Sequence, residues 1–194
     1  MIRLLNVAGS LCLLILLSPL LLLAAAAVKA TSPGPVIFKQ RRIGRRRKEF
    51  LIYKYRTMRA DAPQDVPTHL LQDPGRHITP FGVFLRKTSL DELPQLWNIL
   101  RGDMNLVGPR PALYNQDDLI ALREEFGIHA IRPGLTGWAQ INGRDELPIP
   151  VKVEYDRYYL EHRSLALDCR IIWRTVKQVL MSKGVVEGAG ETKE

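Results

Sequence analysis

Residues Leu4 to Val28 read LLNVAGSLCLLILLSPLLLLAAAAV, a run of 25 positions without a charged side chain. Coiled as a helix it would be roughly 37 Å long, enough to cross a hydrocarbon core of ~30 Å. Three arrangements accommodate it. A cleaved signal peptide would use Val28-Lys29-Ala30 as its small-residue cleavage site, although the run exceeds the usual apolar core of ~7–15 residues. A simple span would leave the following chain in the cytoplasm, because a basic block comes directly after it. A helix broken in mid-membrane would turn and leave by the face it entered. Ser18-Pro19 favours such a break. Proline has no N–H, so the Ile15 carbonyl loses its helical partner and the ring forces a kink. An orphan carbonyl in lipid is expensive, and the Ser18 hydroxyl can bond back one turn earlier, to Leu14. On the residues alone, span and re-entrant hairpin stay equally open.

The rest of the composition narrows the class. With 46% hydrophobic and 25% charged residues in 194, the chain is neither disordered nor fibrous. Cys12 and Cys169 lie too far apart for a disulfide framework or a zinc module, and His69, His77, His129 and His162 form no i, i+4 pair. A reduced compartment follows. The net charge of +8 is concentrated: residues 39–59 hold ten Lys/Arg and one Glu, so the remainder sums to −1. Such a block meets an anionic partner, whether lipid headgroups, nucleic acid or a phosphorylated substrate.

Residues 31–35, Thr-Ser-Pro-Gly-Pro, end the apolar segment. Val36–Phe38 and Phe50–Tyr53 predict a hairpin around the basic turn Arg41–Lys48. Residues 60–79 read as loop with one turn of helix. Phe81–Lys87 and Leu90–Leu100 read as helices, Asn105–Pro111 as extended chain, and Asp117–Phe126 as a short helix stopped by Gly127. Arg132–Gly137 reads as a turn-rich loop and Trp138–Ile141 as strand. Val151–His162 predicts a helix with Val151, Tyr155, Tyr158, Tyr159 and His162 on one face. Asp168–Lys183 predicts a last amphipathic helix. The class is α+β with helices dominant.

The chemistry concentrates in residues 86–111, RKTSLDELPQLWNILRGDMNLVGPRP. Asp91 and Glu92 are adjacent carboxylates at a helix start, and Ser89 with Glu92 fits the capping box. The helix dipole there favours the ionised form, so Asp91 is suited as a nucleophile or metal ligand. Arg110 is presented stiffly between Pro109 and Pro111, a guanidinium placed for bidentate phosphate binding. Lys54, Arg56 and Arg86 add positive charge. Carboxylates among clustered cations fit phosphoryl transfer assisted by a divalent cation better than hydrolysis of an uncharged substrate. A nucleic-acid binder would use the basic block but has no need of Asp91-Glu92 or Pro-Arg-Pro.

Four motifs, KYRTM (54–58), TSLDELPQLWN (88–98), GDMNLVGPRP (102–111) and RPGLTGWAQINGR (132–144), resemble the bacterial sugar transferase family, the monotopic phosphoglycosyl transferases. The resemblance implies transfer of a sugar-1-phosphate from a UDP-sugar to polyprenyl (undecaprenyl) phosphate, with release of UMP, as the first membrane step of bacterial glycoconjugate assembly. It implies that Asp91 is the nucleophile of a covalent phosphosugar intermediate and that Asp91 and Glu92 hold Mg2+. It implies that Lys54, Arg56, Arg86, Arg110 and Arg144 contact substrate phosphates. It also tips Ser18-Pro19 towards the break of a re-entrant hairpin (residues 1–30), followed by one small catalytic domain (31–185) with amphipathic surface helices on the cytoplasmic face of the inner membrane, and a flexible tail (186–194). The implied partners are a UDP-sugar, the lipid acceptor and anionic phospholipids, and no nucleic acid. Residues 142–145 and 182–186 are similar to the small family members that start diacetylbacillosamine-type glycans, which implies a UDP-linked N-acetylated amino sugar.

Overall fold

The computed structural model describes residues 2–63, 74–143 and 147–181. The apolar run folds into two helices, α1 (Ile2–Leu16) and α2 (Ser18–Thr31), which meet at Leu17 with a bend of 64°. Among the described residues no single helix is long and apolar enough to cross a membrane, whereas the bent pair together reaches that length and composition. Pro19, in the first turn of α2, withholds the N–H that Ile15 would receive in a continuous helix. The Ser18 hydroxyl replaces it, donating to the Ile15 carbonyl at 2.8 Å. The expected acceptor, Leu14, is thus corrected to Ile15, the carbonyl that the proline leaves without a donor.

The helix pair packs on the rest of the chain. Arg3 Nη2 donates to the Leu100 carbonyl at 2.9 Å, the Leu106 N–H donates to Asn6 Oδ1 at 2.6 Å, and Ser10 is fully buried, so one polar stripe of α1 faces the protein. Leu13 and Leu14 pack against Ile52, Leu96, Ile99 and Met104. Ala24 and Val28 of α2 pack against Tyr55 and Leu85. On the other side Leu4, Leu16, Leu22 and Leu23 are 69–73% exposed.

Strands β1 (Ile37–Ile43) and β2 (Glu49–Tyr55) form the expected hairpin, in a register that pairs Gln40 with Ile52. Its basic tip is tight, with Arg46 and Arg47 both at positive φ. The polar stretch that follows shows one helical turn at Pro74–Arg76; residues 64–73 lie outside the described residues. Thr79 caps α3 (Pro80–Lys87) by accepting from the Gly82 N–H, and Gly102 at φ 97 ends α4 (Gln95–Arg101). Helix α5 (Asp117–Glu125) ends at Gly127, as expected, and α8 (Leu165–Leu180) is capped by the Ser164 hydroxyl. Trp173, Val176 and Leu180 of α8 face outward, which makes it an amphipathic surface helix. The tail expected at 186–194 lies outside the described residues.

Three expectations are corrected. Residues 134–136 of the expected loop form a strand, β4 (Gly134–Thr136), parallel to β3 (Asn105–Val107), with α5 in the crossover. Trp138–Ile141 is a helix, α6, not a strand. The buried face of α7 (Ile149–Glu161) is Val153, Asp156 and Tyr159, while Val151 and Tyr158 are exposed. An apolar stripe mispredicts that face because its centre is a buried ion pair between Asp156 and Arg123 of α5.

The β3–β4 pairing requires glycine. A Cβ on Gly134 would fall 2.1 Å from the Gly108 nitrogen and 2.4 Å from the Thr136 oxygen, both backbone atoms that cannot step aside. Gly134→Ala is expected to destabilise the fold by about 3 kcal/mol or more, seen as a lowered Tm for the detergent-solubilised protein.

Candidate active site

Asp91 and Glu92 sit in a single 3-10 turn, Leu90–Glu92, between α3 and α4. The expected capping box does not form. Ser89 is left-handed (φ 56) and its side chain caps nothing, while α4 begins only at Gln95, after Pro94. A non-glycine residue in that region stores on the order of 1 kcal/mol, and the turn is held in place by its side chains rather than by its own helix.

Glu92 is the anchor. Its Oε1 accepts from Lys54 Nζ at 2.6 Å and from Arg110 Nη2 at 2.9 Å, and its Oε2 accepts from Arg110 Nη1 at 3.3 Å. Lys54 comes from β2 and Arg110 from the loop after β3. The Pro-Arg-Pro loop is itself pinned at all three carbonyls. Pro109 accepts from the Gly134 N–H, Arg110 from Arg123 Nη1 at 2.8 Å, and Pro111 from Arg42 Nη1 at 2.9 Å. Asp156 engages Arg123 from behind.

The two carboxylates differ in protonation. Burial alone would push the Glu92 carboxyl up, but Arg110 and Lys54 outweigh it and hold it well below the usual range. Asp91 is 8% exposed and has no side-chain hydrogen bond among the described residues. Burial raises its carboxyl to about 6; Lys54, Arg86 and Arg110 oppose the rise, and the Glu92 charge adds to it. The helix dipole was expected to favour ionisation, yet desolvation dominates because the turn is tucked into the protein.

Both acids line an open cavity of about 1280 Å³, together with Lys54, Arg86 and Arg110. Leu13, Leu17 and Leu20, around the α1–α2 break, line the same cavity. Arg86 Nε donates to Thr57 Oγ1 at 2.9 Å. Arg56 lines the cavity as well, but its guanidinium donates to the Pro33 and Ser32 carbonyls and to the Ser32 hydroxyl, tying the hairpin to the end of α2. Arg144 lies outside the described residues. Arg123 and Asp156 carried no sequence signal, because a charge on an amphipathic helix reads as solvated; Arg42 of β1 was one undistinguished member of the basic block.

The profile of the bacterial sugar transferases matches residues 1–182. The chain belongs to the bacterial sugar transferase family. It is 41% identical to the uncharacterized sugar transferase EpsL of Bacillus subtilis over 192 residues, covering 99% of this chain and 93% of that one. It is 43% identical over 172 residues to the UDP-glucose:undecaprenyl-phosphate glucose-1-phosphate transferase of Xanthomonas campestris, covering 85% of this chain and 36% of that one. It is 39% identical over 174 residues to the UDP-N-acetylgalactosamine-undecaprenyl-phosphate N-acetylgalactosaminephosphotransferase of Aeromonas hydrophila, covering 87% of this chain and 41% of that one. The chain thus spans nearly all of the Bacillus relative but well under half of the other two.

The raised Asp91 carboxyl has a stability consequence. The folded state prefers the protonated form, so this contribution is present below the ordinary carboxylate range and is lost as pH rises through about 6. Asn at this position is uncharged at every pH. Asp91→Asn is therefore expected to melt above the wild type at about pH 8 and with it at about pH 4, measured by thermal unfolding in detergent.

Proposed function

We propose that this phosphoglycosyl transferase moves a sugar-1-phosphate from a UDP-sugar to polyprenyl (undecaprenyl) phosphate, giving polyprenyl diphosphate sugar and UMP, with Asp91 as the covalent carrier. The observation behind this reading is the division of labour at one turn. Glu92 is engaged by Lys54 and Arg110, while the adjacent Asp91 lines the cavity without a hydrogen-bond partner among the described residues. The activities named for the Xanthomonas and Aeromonas relatives support the donor and acceptor classes. Those relatives are named for different sugars, glucose and N-acetylgalactosamine. An N-acetylated amino sugar is the donor that the sequence resemblance favours here.

In the first displacement an Asp91 oxygen attacks the phosphorus that bears the sugar. The bond from that phosphorus to the bridging oxygen breaks, and UMP leaves with the electron pair. In the second, a phosphate oxygen of the lipid attacks the same phosphorus and the bond to Asp91 breaks, restoring the carboxylate. Arg110 and Lys54 place positive charge beside the phosphates, and Glu92 fixes both. The donor set suits Mg2+, which takes one or two carboxylates plus substrate phosphates. Among the described residues no group of three or more His, Cys, Asp or Glu is placed to hold a metal, so Asp91 and the donor diphosphate would share the ion. Both Glu92 oxygens are already engaged, which makes it a supporting group behind Asp91. When bound, the ion supplies neutralisation of the diphosphate and the departing UMP.

Residues 1–30 form the anchor in this reading and residues 31–185 the catalytic domain. The α1–α2 pair enters and leaves the cytoplasmic leaflet, its exposed leucines in lipid. The Ser18–Ile15 bond supports this, because it satisfies the backbone where water is absent. Arg42, Arg45, Lys54 and Arg56 are bonded to protein groups, so the basic segment presents mainly its tip, Arg46–Lys48, to anionic headgroups.

Wild-type protein given a UDP-sugar and undecaprenyl phosphate should release UMP, faster as pH rises through about 6 and not in excess chelator. A phosphosugar adduct should map to Asp91 by mass spectrometry and be absent in Asp91→Asn. An adduct on Glu92, or full activity in Asp91→Asn, refutes the carrier assignment.

Topology is tested by cysteine labelling. In a Cys12→Ser, Cys169→Ser background, Ile2→Cys should resist an impermeant thiol reagent in intact cells. Adding Ser18→Ala and Pro19→Leu should restore a continuous helix, move the N-terminus outward under the positive-inside bias, and make the site reactive. Labelling without those two changes would establish a simple span.

A further inference from the structure

Helix α1 holds the strand that leads into the Pro-Arg-Pro loop. The Asn105 N–H donates towards β4, to the Pro133 carbonyl at 2.9 Å. Successive N–H groups of a strand point to opposite edges, so the Leu106 N–H faces away from β4. It donates to Asn6 Oδ1 at 2.6 Å. Asn6 is buried, and its Nδ2 donates to the Ile2 carbonyl of its own helix at 2.8 Å. The carboxamide is thereby fixed at both ends, with its acceptor turned towards β3.

The helix surface fits as closely. Asn6, Gly9, Ser10 and Leu13 follow at i, i+3, i+4 and i+7, one face of α1. A Cβ on Gly9 would fall 3.2 Å from Leu106 Cδ1, so the helix lies directly on that residue. Leu13 packs in the same apolar cluster as Leu106, and both line the cavity that holds Asp91 and Arg110.

One turn of α1 reaches both halves of the site. Arg3 donates to the Leu100 carbonyl near the end of α4, the helix that follows the Asp91–Glu92 turn, and its guanidinium lies against Gly102. Asn6 holds β3, which leads to Arg110 four residues on, about 13 Å of extended chain. Gly108 and Pro109 bond to Thr136 and Gly134, so β3, β4 and the loop form one body. Both strands have only three residues, and a two-stranded pairing of that size is marginal alone. Where this body stands relative to the Asp91 turn is therefore set by what grips its free edge. A misplacement of ~1 Å costs on the order of a hundredfold in rate.

We infer that Asn6 is a positioning residue for the transfer reaction: it holds β3 at Leu106 while Arg3 of the same helix holds α4, and so aligns Arg110 with Asp91. The apolar anchor is then part of the alignment of the active site. This rests on the phosphoglycosyl transferase reading and adds to it a residue that touches no substrate.

The test is a kinetic double-mutant cycle on the full chain in detergent, with the best donor from a panel of UDP-sugars and UMP release expressed per folded molecule. Asn6→Leu keeps the volume and loses the acceptor; kcat/KM for the UDP-sugar should fall about tenfold. In an Arg110→Lys background the same change should cost less than twofold, because its route to the reaction is gone. Asn6→Asp keeps an acceptor oxygen and should recover activity to within about threefold of wild type. An equal loss in both backgrounds, no loss per folded molecule, or a loss in Asn6→Asp equal to that in Asn6→Leu overturns the inference. Should Asn6→Leu fold poorly, Asn6→Ser, whose hydroxyl is too short to reach Leu106, enters the same cycle with the same expected pattern. Amide exchange at Leu106 is read on the same samples without turnover and should quicken at least tenfold on loss of the acceptor. A wild type that releases no UMP while the variant shows that quickening refutes the transferase reading; unchanged exchange refutes the grip of Asn6 on β3.

Discussion

The carboxylate of Glu92 is the point on which the site depends. It draws Lys54 from a hairpin strand and Arg110 from a loop after a different sheet onto one short turn. None of the three groups is more than about one-third exposed, so each relies on the others for its solvation. Breaking such a cluster by removing one member leaves an uncompensated charge, a loss of about 3–5 kcal/mol when the pair is fully buried and less here where water reaches the rim. The same cluster separates two neighbours in sequence. Glu92 is ionised at any physiological pH, while Asp91, one residue away and without a cation of its own in hydrogen-bond contact, is held near the point where it can change state. Two carboxylates with different environments are suited to different tasks.

How much of this was legible in the sequence depended on the range of the interaction. The hairpin, α3, α5 and α8 followed from turn residues, caps and apolar spacing, all of them local. Strand β4 was not legible, because three residues, Gly-Leu-Thr, have no periodicity and their partner lies about thirty residues upstream. Helix α6 was read as strand for the same reason: a four-residue apolar run fits either state. At the site, Asp91, Glu92, Lys54 and Arg110 were read as one group from their charge and motif context, and the fold brings the four together. Arg56 carries the same charge and was grouped with them, yet it satisfies the carbonyls of Ser32 and Pro33. Nothing in a single sequence distinguishes a guanidinium that pairs with a site carboxylate from one that binds a loop.

The second tier of the site is built on that same chemistry. Arg123 and Arg42 fix the backbone carbonyls of Arg110 and Pro111, and Asp156 fixes Arg123. A single arginine flanked by prolines is thereby held by side chains from two other elements in addition to the Gly134 N–H that bonds Pro109. The loop beside the cavity is therefore held more firmly than its irregular backbone suggests.

The polar stripe of α1 bears on how the molecule is made. Arg3 and Asn6 find their partners at Leu100, Met104 and Leu106, 97 to 101 residues further along the chain. At a translation rate of ~5–20 residues per second, α1 leaves the ribosome on the order of 5–20 s before those partners exist. Throughout that interval the Asn6 amide can donate only within its own helix, to the Ile2 carbonyl, while its oxygen and the Arg3 guanidinium lack the partners they have in the fold. Contacts of such long sequence separation form late, so α1, made well ahead of the segment that holds it, is completed only with that segment.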